Sequence, residues 1–217
     1  MAQTLLDGPD SFNGTNGDTL NTYNAKWVDA GGSLPQCKIA GSPGFGTGGG
    51  QNAIRNTGQT WTNNQWAEAK VDGTNLIDST WGIWMICVRV QGGVDFKAYC
   101  GGANYYHDGN NTYRITRYDF SGVRTVLATG THAMALNDVV NLEIDGTTLT
   151  LRVNGSIEAG PVTDSTFATG NPGLHIQYGG TSTNRLGGTW KAGSVTAGGE
   201  PPPEQYAKVL IKASPNV

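Results

Sequence analysis

From Val139 to Asn154 every second residue is apolar. Val140, Leu142 and Ile144 share one parity, as do Leu149, Leu151 and Val153 in the next segment, while Asn141, Glu143, Thr150 and Arg152 take the other. Side chains of an extended strand point alternately to opposite faces, so this pattern specifies a hairpin with one face on a core and the other in solvent. Asp145-Gly146 falls between the two runs and Asn154-Gly155 comes after the second. Both dipeptides tolerate the positive backbone angles of tight hairpin turns.

Comparable patterns fill the chain, and helical periodicity is almost absent. Residues 66–72 alternate, and 81–91 form a nearly continuous apolar run followed by Gly92-Gly93 and a partner strand at 95–101. Further strands are expected at 112–120, 123–129, 173–178 and 186–195, with shorter ones at 27–30, 36–40 and 51–56. About a dozen short strands, each closed by a turn, make an all-β sandwich. Residues 82–90 are apolar at both parities, as in a strand covered on both faces. The expected fold is a two-layer antiparallel β-sandwich.

Composition supports this. The 217 residues include 33 Gly, 25 Thr and 18 Asn, about a third of the chain, and only 14% are charged. Such a mixture favours strands and tight turns over helices. The length suffices for one domain with its own core, without a metal or disulfide staple. A net charge of -3 offers no footprint for nucleic acid, and no apolar stretch approaches a bilayer span, so membrane insertion is not expected. The first residues lack the charged start and apolar run of a secretory signal. Cys37, Cys87 and Cys100 lack metal-site spacing and read as reduced structural thiols. In a hairpin turning at Gly92-Gly93, Cys87 and Cys100 share a face but lie on a diagonal, which does not favour a disulfide.

The chain divides into a sandwich over 1–195, a Gly/Pro linker over 196–204 and a strand-like tail over 205–217. The tail alternates Tyr206, Lys208, Leu210 and Lys212 against Ala207, Val209, Ile211 and Ala213. It could fold back on the sandwich or add to the sheet edge of a partner, with Tyr206, Val209, Leu210 and Ile211 as docking residues.

The opening Asp10-Ser-Phe12, with Asn16-Gly17, Leu20 and Trp27, resembles the start of concanavalin A-like, laminin G-like jelly rolls. The segments Val88-Arg-Val90, Asp95-Phe-Lys-Ala-Tyr99 and Tyr113-Arg-Ile-Thr-Arg-Tyr118 look like their central strands. The 142–155 hairpin is similar to their signature hairpin, and Asp164-Ser-Thr-Phe167 with Gly170-Asn-Pro-Gly173 looks like the segment next to it. The likeness covers residues 7–195 and implies a lectin-like jelly roll. Domains of this kind serve as carbohydrate-binding modules, glucanases, lyases and bacteriophage virion proteins, so function must come from the site.

A glycosidase needs two carboxylates flanking one bond. The nearest match to the glucanase pattern, Glu143-Ile-Asp145, has Thr148 where a second acid should stand, and Glu143 faces Arg152 as a plausible ion-pair partner. A lyase would need a base and a proton donor, for which His107, His175 and the tyrosines are candidates. Glycan binding is better served, because sugars offer apolar C–H faces and hydroxyls together. The loop at Tyr105, Tyr106 and His107 is the first candidate, with Tyr99, Tyr118, His175 and Gln177 added if their sheet faces solvent. Asp7, Asp10 and Asp18 read as turn and capping residues, and no metal or other cofactor is predicted.

The function expected from sequence is therefore non-catalytic. The chain reads as a bacteriophage virion surface or structural protein (head decoration, fibre or tail-associated) that binds host-surface glycans. Capsid or tail proteins would be met through the tail or the amino-terminal segment, with copies of the chain itself as further partners. The alternatives are a secreted carbohydrate-binding module and a polysaccharide lyase or glycosidase on the same fold.

Overall fold

The computed structural model describes residues 2–31, 37–40, 44–47, 50–72, 82–93, 96–104, 111–119, 123–178 and 187–196. Within them lie β1 (Ala2–Asp10), a one-turn helix α1 (Leu20–Tyr23), β2 (Trp27–Asp29), β3 (Cys37–Ile39), β4 (Phe45–Thr47) and β5 (Gly50–Asn56). These are followed by β6 (Gln65–Val71), β7 (Gly82–Gln91), β8 (Lys97–Asn104), β9 (Thr112–Tyr118) and β10 (Arg124–Ala133). The last are β11 (Val139–Asp145), β12 (Thr148–Val153), β13 (Ser156–Thr163), β14 (Asn171–Tyr178) and β15 (Gly187–Thr196). The back sheet runs β13-β12-β11-β6-β15-β4-β3, with β1 also paired to β15. The front sheet runs β10-β9-β8-β7-β14-β5-β2. All pairings are antiparallel, so the architecture is the expected two-layer β-sandwich. No helix among the described residues is long and apolar enough to cross a membrane.

The core lies between the sheets. In the β11–β12 hairpin, Val140 pairs with Val153, Leu142 with Leu151 and Ile144 with Leu149, and all six are buried. They join one cluster with Trp84, Ile86, Val88, Tyr99, Tyr113, Ile115, Leu174 and Ile176 from the front sheet. The turn after β12 places Asn154 (φ 51°) and Gly155 (φ 83°) in the left-handed region, as its sequence predicts. Strand β7 is covered on both faces. Ile83, Met85 and Cys87 join Ala98, Cys100 and Tyr118 in a second buried cluster on the outer side of the front sheet.

The Asp10-x-Phe12 motif is a bonding hub. One Asp10 carboxylate oxygen accepts from the Phe12 amide (3.0 Å) and the Tyr23 hydroxyl (3.0 Å). The other meets the Trp27 indole N–H (3.2 Å) and Lys26 Nζ (3.0 Å). Phe12 and Trp27 are thereby fixed in the core beside Phe45 and Trp190. Asp7 also pairs with Lys26, so both acids are structural, and no group of three or more metal-binding side chains occurs among the described residues.

Three expectations are corrected. Cys87 and Cys100 stand directly opposite each other and form a disulfide, with Cα atoms 4.1 Å apart. The hairpin does not turn tightly at Gly92-Gly93: Gln91 pairs with Lys97, leaving five residues between them. A register shift between Val88 and Gln91, where Arg89 has φ 51°, then brings the cysteines together. Second, the outward face of the β11–β12 hairpin is not solvated, because Asn141, Glu143 and Thr150 are buried. Gln3 of β1 reaches across this face and donates to Glu143 (2.6 Å) and Asn141 (3.3 Å), and Trp66 Nε1 donates to Thr4 O (3.3 Å). Gly193 allows that approach, since a Cβ there would collide with the Thr4 carbonyl. Third, Glu143 pairs with Gln3, not with Arg152, which lies opposite Asn141 in the ladder. Strands β1, β4 and β13 were not anticipated.

Candidate functional site

Three neighbouring strands of the front sheet end together. Asn171 at the start of β14 lies opposite Val90 near the end of β7, and Gly173 lies opposite Arg55 near the end of β5. The segment 57–64 leaves β5 at this rim, and its shape is set by backbone carbonyls. Asn56 O accepts from the Trp61 indole N–H (2.8 Å) and from the Asn171 amide (2.7 Å). Trp61 is half-buried against the core, so its ring is held from one side.

Beneath the rim, Arg89 ties three loops together. Its guanidinium donates to Asn63 O (3.0 and 2.9 Å), Phe167 O (2.7 Å) and Gly146 O (2.6 Å). Gln65 completes the tie by accepting from the Arg89 amide (3.0 Å) and donating to Thr62 O (2.9 Å) and Gly170 O (3.0 Å). Burial pushes the Arg89 guanidinium below its ordinary pKa, with the Tyr99 hydroxyl acting in the opposite sense. An arginine keeps its charge regardless, so carbonyl dipoles supply the solvation that burial removes. Asn64 adds a fourth connection, donating to Asp145 (2.6 Å) and accepting from the Gly146 amide (2.9 Å).

On this framework opens a pocket of about 530 Å³, within the size range of small-ligand sites. Trp61 contributes an aromatic surface, while Gln59, Asn63, Gln91 and Asn171 contribute side-chain amides and Thr169 a hydroxyl. Among the described residues, Arg55 is the cation of the lining and no carboxylate belongs to it. An aromatic plane beside several amides complements a sugar, whose C–H face and hydroxyls need both kinds of partner.

None of the sequence candidates among the described residues lines this pocket. Tyr99 points into the core, where its hydroxyl donates to Asp164 (2.6 Å) and accepts from the Phe167 amide (2.9 Å). Burial and the Asp164 hydrogen bond push its pKa up to about 12. Tyr118 and His175 do lie on the outer side of the front sheet, but both are 2% exposed. Their rings meet edge to face at 4.7 Å with Phe96 beside them, and Asn104 donates to the Tyr118 hydroxyl (2.8 Å). Their candidacy required that face to be in solvent, and its apolar neighbours Ile83, Met85 and Ala98 show why it is not. Gln177 lies on β14, opposite Ile83 and Gln51. Tyr105, Tyr106, His107, Tyr206, Val209, Leu210 and Ile211 lie outside the described residues.

Sequence reading missed Trp61 and its neighbours. The available signal was Gln59-Thr-Trp-Thr-Asn-Asn64, where a lone tryptophan stands among polar residues between two strands. No alternation explains such a ring as core.

No family model and no curated protein matches the sequence. Among solved structures, the chain is similar to a Bacillus subtilis protein of unknown function with a galectin-like fold (TM-score 0.59, 9% identity), covering 88% of this chain and 98% of that one. It is also similar to the carbohydrate-binding module CBM66 from Bacillus subtilis (TM-score 0.54, 12% identity), covering 78% and 93%. A third is the VIP36 exoplasmic/lumenal domain in its Ca2+/Man2-bound form (TM-score 0.53, 11% identity), covering 88% of each chain. At such identities the likeness bears on fold alone, and the fold is a two-sheet jelly-roll sandwich similar to theirs.

Proposed function

We propose that this protein is a non-catalytic glycan-binding module whose ligand occupies the pocket at Trp61. The observation that carries the reading is the lining itself, which among the described residues is an aromatic ring with four amides and no carboxylate. Glycoside hydrolysis uses two carboxyl groups on either side of the scissile bond, and the described residues of this lining supply neither. Similarity of fold to a carbohydrate-binding module and to a lectin domain solved with Man2 supports the same reading.

The test is a glycan and polysaccharide panel read for both retention and released products. Retention without cleavage is expected, and Trp61→Ala should weaken it at least tenfold, about 1.4 kcal/mol, while the melting transition persists. Release of reducing ends or unsaturated products would overturn the non-catalytic reading. Unchanged retention by Trp61→Ala would remove the pocket from it.

The proposed setting is the surface of a bacteriophage particle. Support comes from the Gly-, Thr- and Asn-rich composition and the strand-like sequence of 205–217. Deleting residues 200–217 should abolish particle association while the sandwich still folds. Full association of the shortened chain would refute docking through the tail.

A further inference from the structure

Resting on the glycan-binding reading, we infer that the pocket selects sugars carrying an anionic group, a carboxylate or a sulfate ester, through Arg55. The side chain is built into the site. Strand β5 is fixed on both sides, with Arg55 opposite Gly173 of β14 and Val28 of β2. Its guanidinium fills the space beside Gly92 where any side chain would stand, because a Cβ there would overlap Nη1, Nη2 and Cζ. Gly92 itself lines the pocket. The slot therefore holds the flat cation at the wall.

The partners of Arg55 set it apart from other arginines of the molecule. Arg89 gives its donors to the carbonyls of Asn63, Phe167 and Gly146. Arg117 pairs with Asp119 and Asp164. Arg55 takes part in none of the ion pairs among the described residues, and its Nε is buried without a hydrogen-bond partner. A permanently charged planar fork, partly removed from water and facing a cavity whose described lining holds no carboxylate, is matched by two oxygens of one anionic group. Neutral hydroxyls would also accept from it, but only an anionic group adds the attraction between opposite charges and two parallel acceptors that match the fork. Trp61 and the amides would hold the sugar ring while Arg55 reads its charge.

The experiment titrates the full chain with matched pairs: trigalacturonate against its methyl ester, and a sulfated galactan oligosaccharide against its desulfated form. At least one charged member should bind tenfold or more tightly than its neutral twin, and the responding pair identifies carboxylate or sulfate. Arg55→Gln should erase that difference, lowering the affinity of the charged member by tenfold or more and that of its neutral twin by much less. Gly92→Ala provides an independent arm, since it keeps the arginine but displaces its guanidinium, and it should reduce the preference without lowering the melting temperature. Equal affinity within both pairs, or a preference that survives Arg55→Gln, overturns the inference. If neutral binding then still depends on Trp61, the glycan-binding reading stands. If no member of either pair binds, or Trp61→Ala changes nothing, the two fall together.

Discussion

Arg89 and Asp164 are the residues on which the loop framework below the pocket turns. Asp164 accepts from the Tyr99 hydroxyl (2.6 Å), the Thr166 amide (2.9 Å) and Arg117. Burial pushes its pKa up, but these donors outweigh burial and hold the carboxylate down to about 2. A group depressed in the folded state contributes stability that is complete above its unfolded pKa, near 3.9, and lost as pH falls through the folded value. The Asp164 contribution should thus disappear between about pH 4 and pH 2. Asp164→Asn should be less stable at pH 7, and its denaturation midpoint should change less than that of the unaltered chain over that acid window. Urea midpoints measured from pH 7 down to 2 decide the matter, and parallel curves for the two proteins would refute it.

At the scale of elements, legibility followed local constraint. The pairing of β11 with β12 was readable because the alternation and the Asn154-Gly155 turn lie within seventeen residues and the observed pairs follow from parity, whereas the cover that β1 lays over the outer face lies far away in sequence. The Asp10-x-Phe12 motif was readable as a resemblance, and its physical basis is a carboxylate that binds the Phe12 amide and the Trp27 indole. Strand β1 escaped notice because it contains Gly8-Pro9 and exposes Leu5 and Leu6, as an irregular edge can. Pro161 hid β13 in the same way. The β7–β8 register depended on a bulge at Arg89 whose purpose is tertiary: it directs the guanidinium to Asn63, Phe167 and Gly146. Tyr118 and His175 share the outer side of the front sheet while Tyr99 enters the core, and an alternating sequence does not say which faces are covered. The pocket was hidden for a related reason. Arg55, Trp61, Gln91 and Asn171 are far apart in sequence and meet only because β5, β14 and β7 end at one rim.

That meeting reflects the topology of the whole molecule, in which neither sheet can be completed early in the chain. Strand β14 stands between β7 and β5 in the front sheet, and β15 joins β6 to β4 and β1 in the back sheet. A chain ending at Gly170 would leave β2 and β5 detached from β7–β10 and would separate β1 and β3–β4 from β6 and β11–β13. Most of the interior cluster, with Trp27 and Ile54 on one side of the gap and Trp84 and Ile86 on the other, would lose its continuity. The intact chain should therefore unfold in one cooperative transition, with calorimetric and van't Hoff enthalpies in agreement, whereas the chain ending at Gly170 should show no such transition. The insertion of β14 also brings Asn171 to the pocket, so ligand binding is coupled to global stability. A glycan at about one hundred times its Kd should add about 2.7 kcal/mol, which for a domain of this size raises the melting temperature by roughly 5–10 °C. Calorimetry of the two chains, with and without ligand, tests both statements. Separate transitions for the two sheets, or a ligand that binds without moving the main transition, would show that the pocket and the sandwich do not share one cooperative unit.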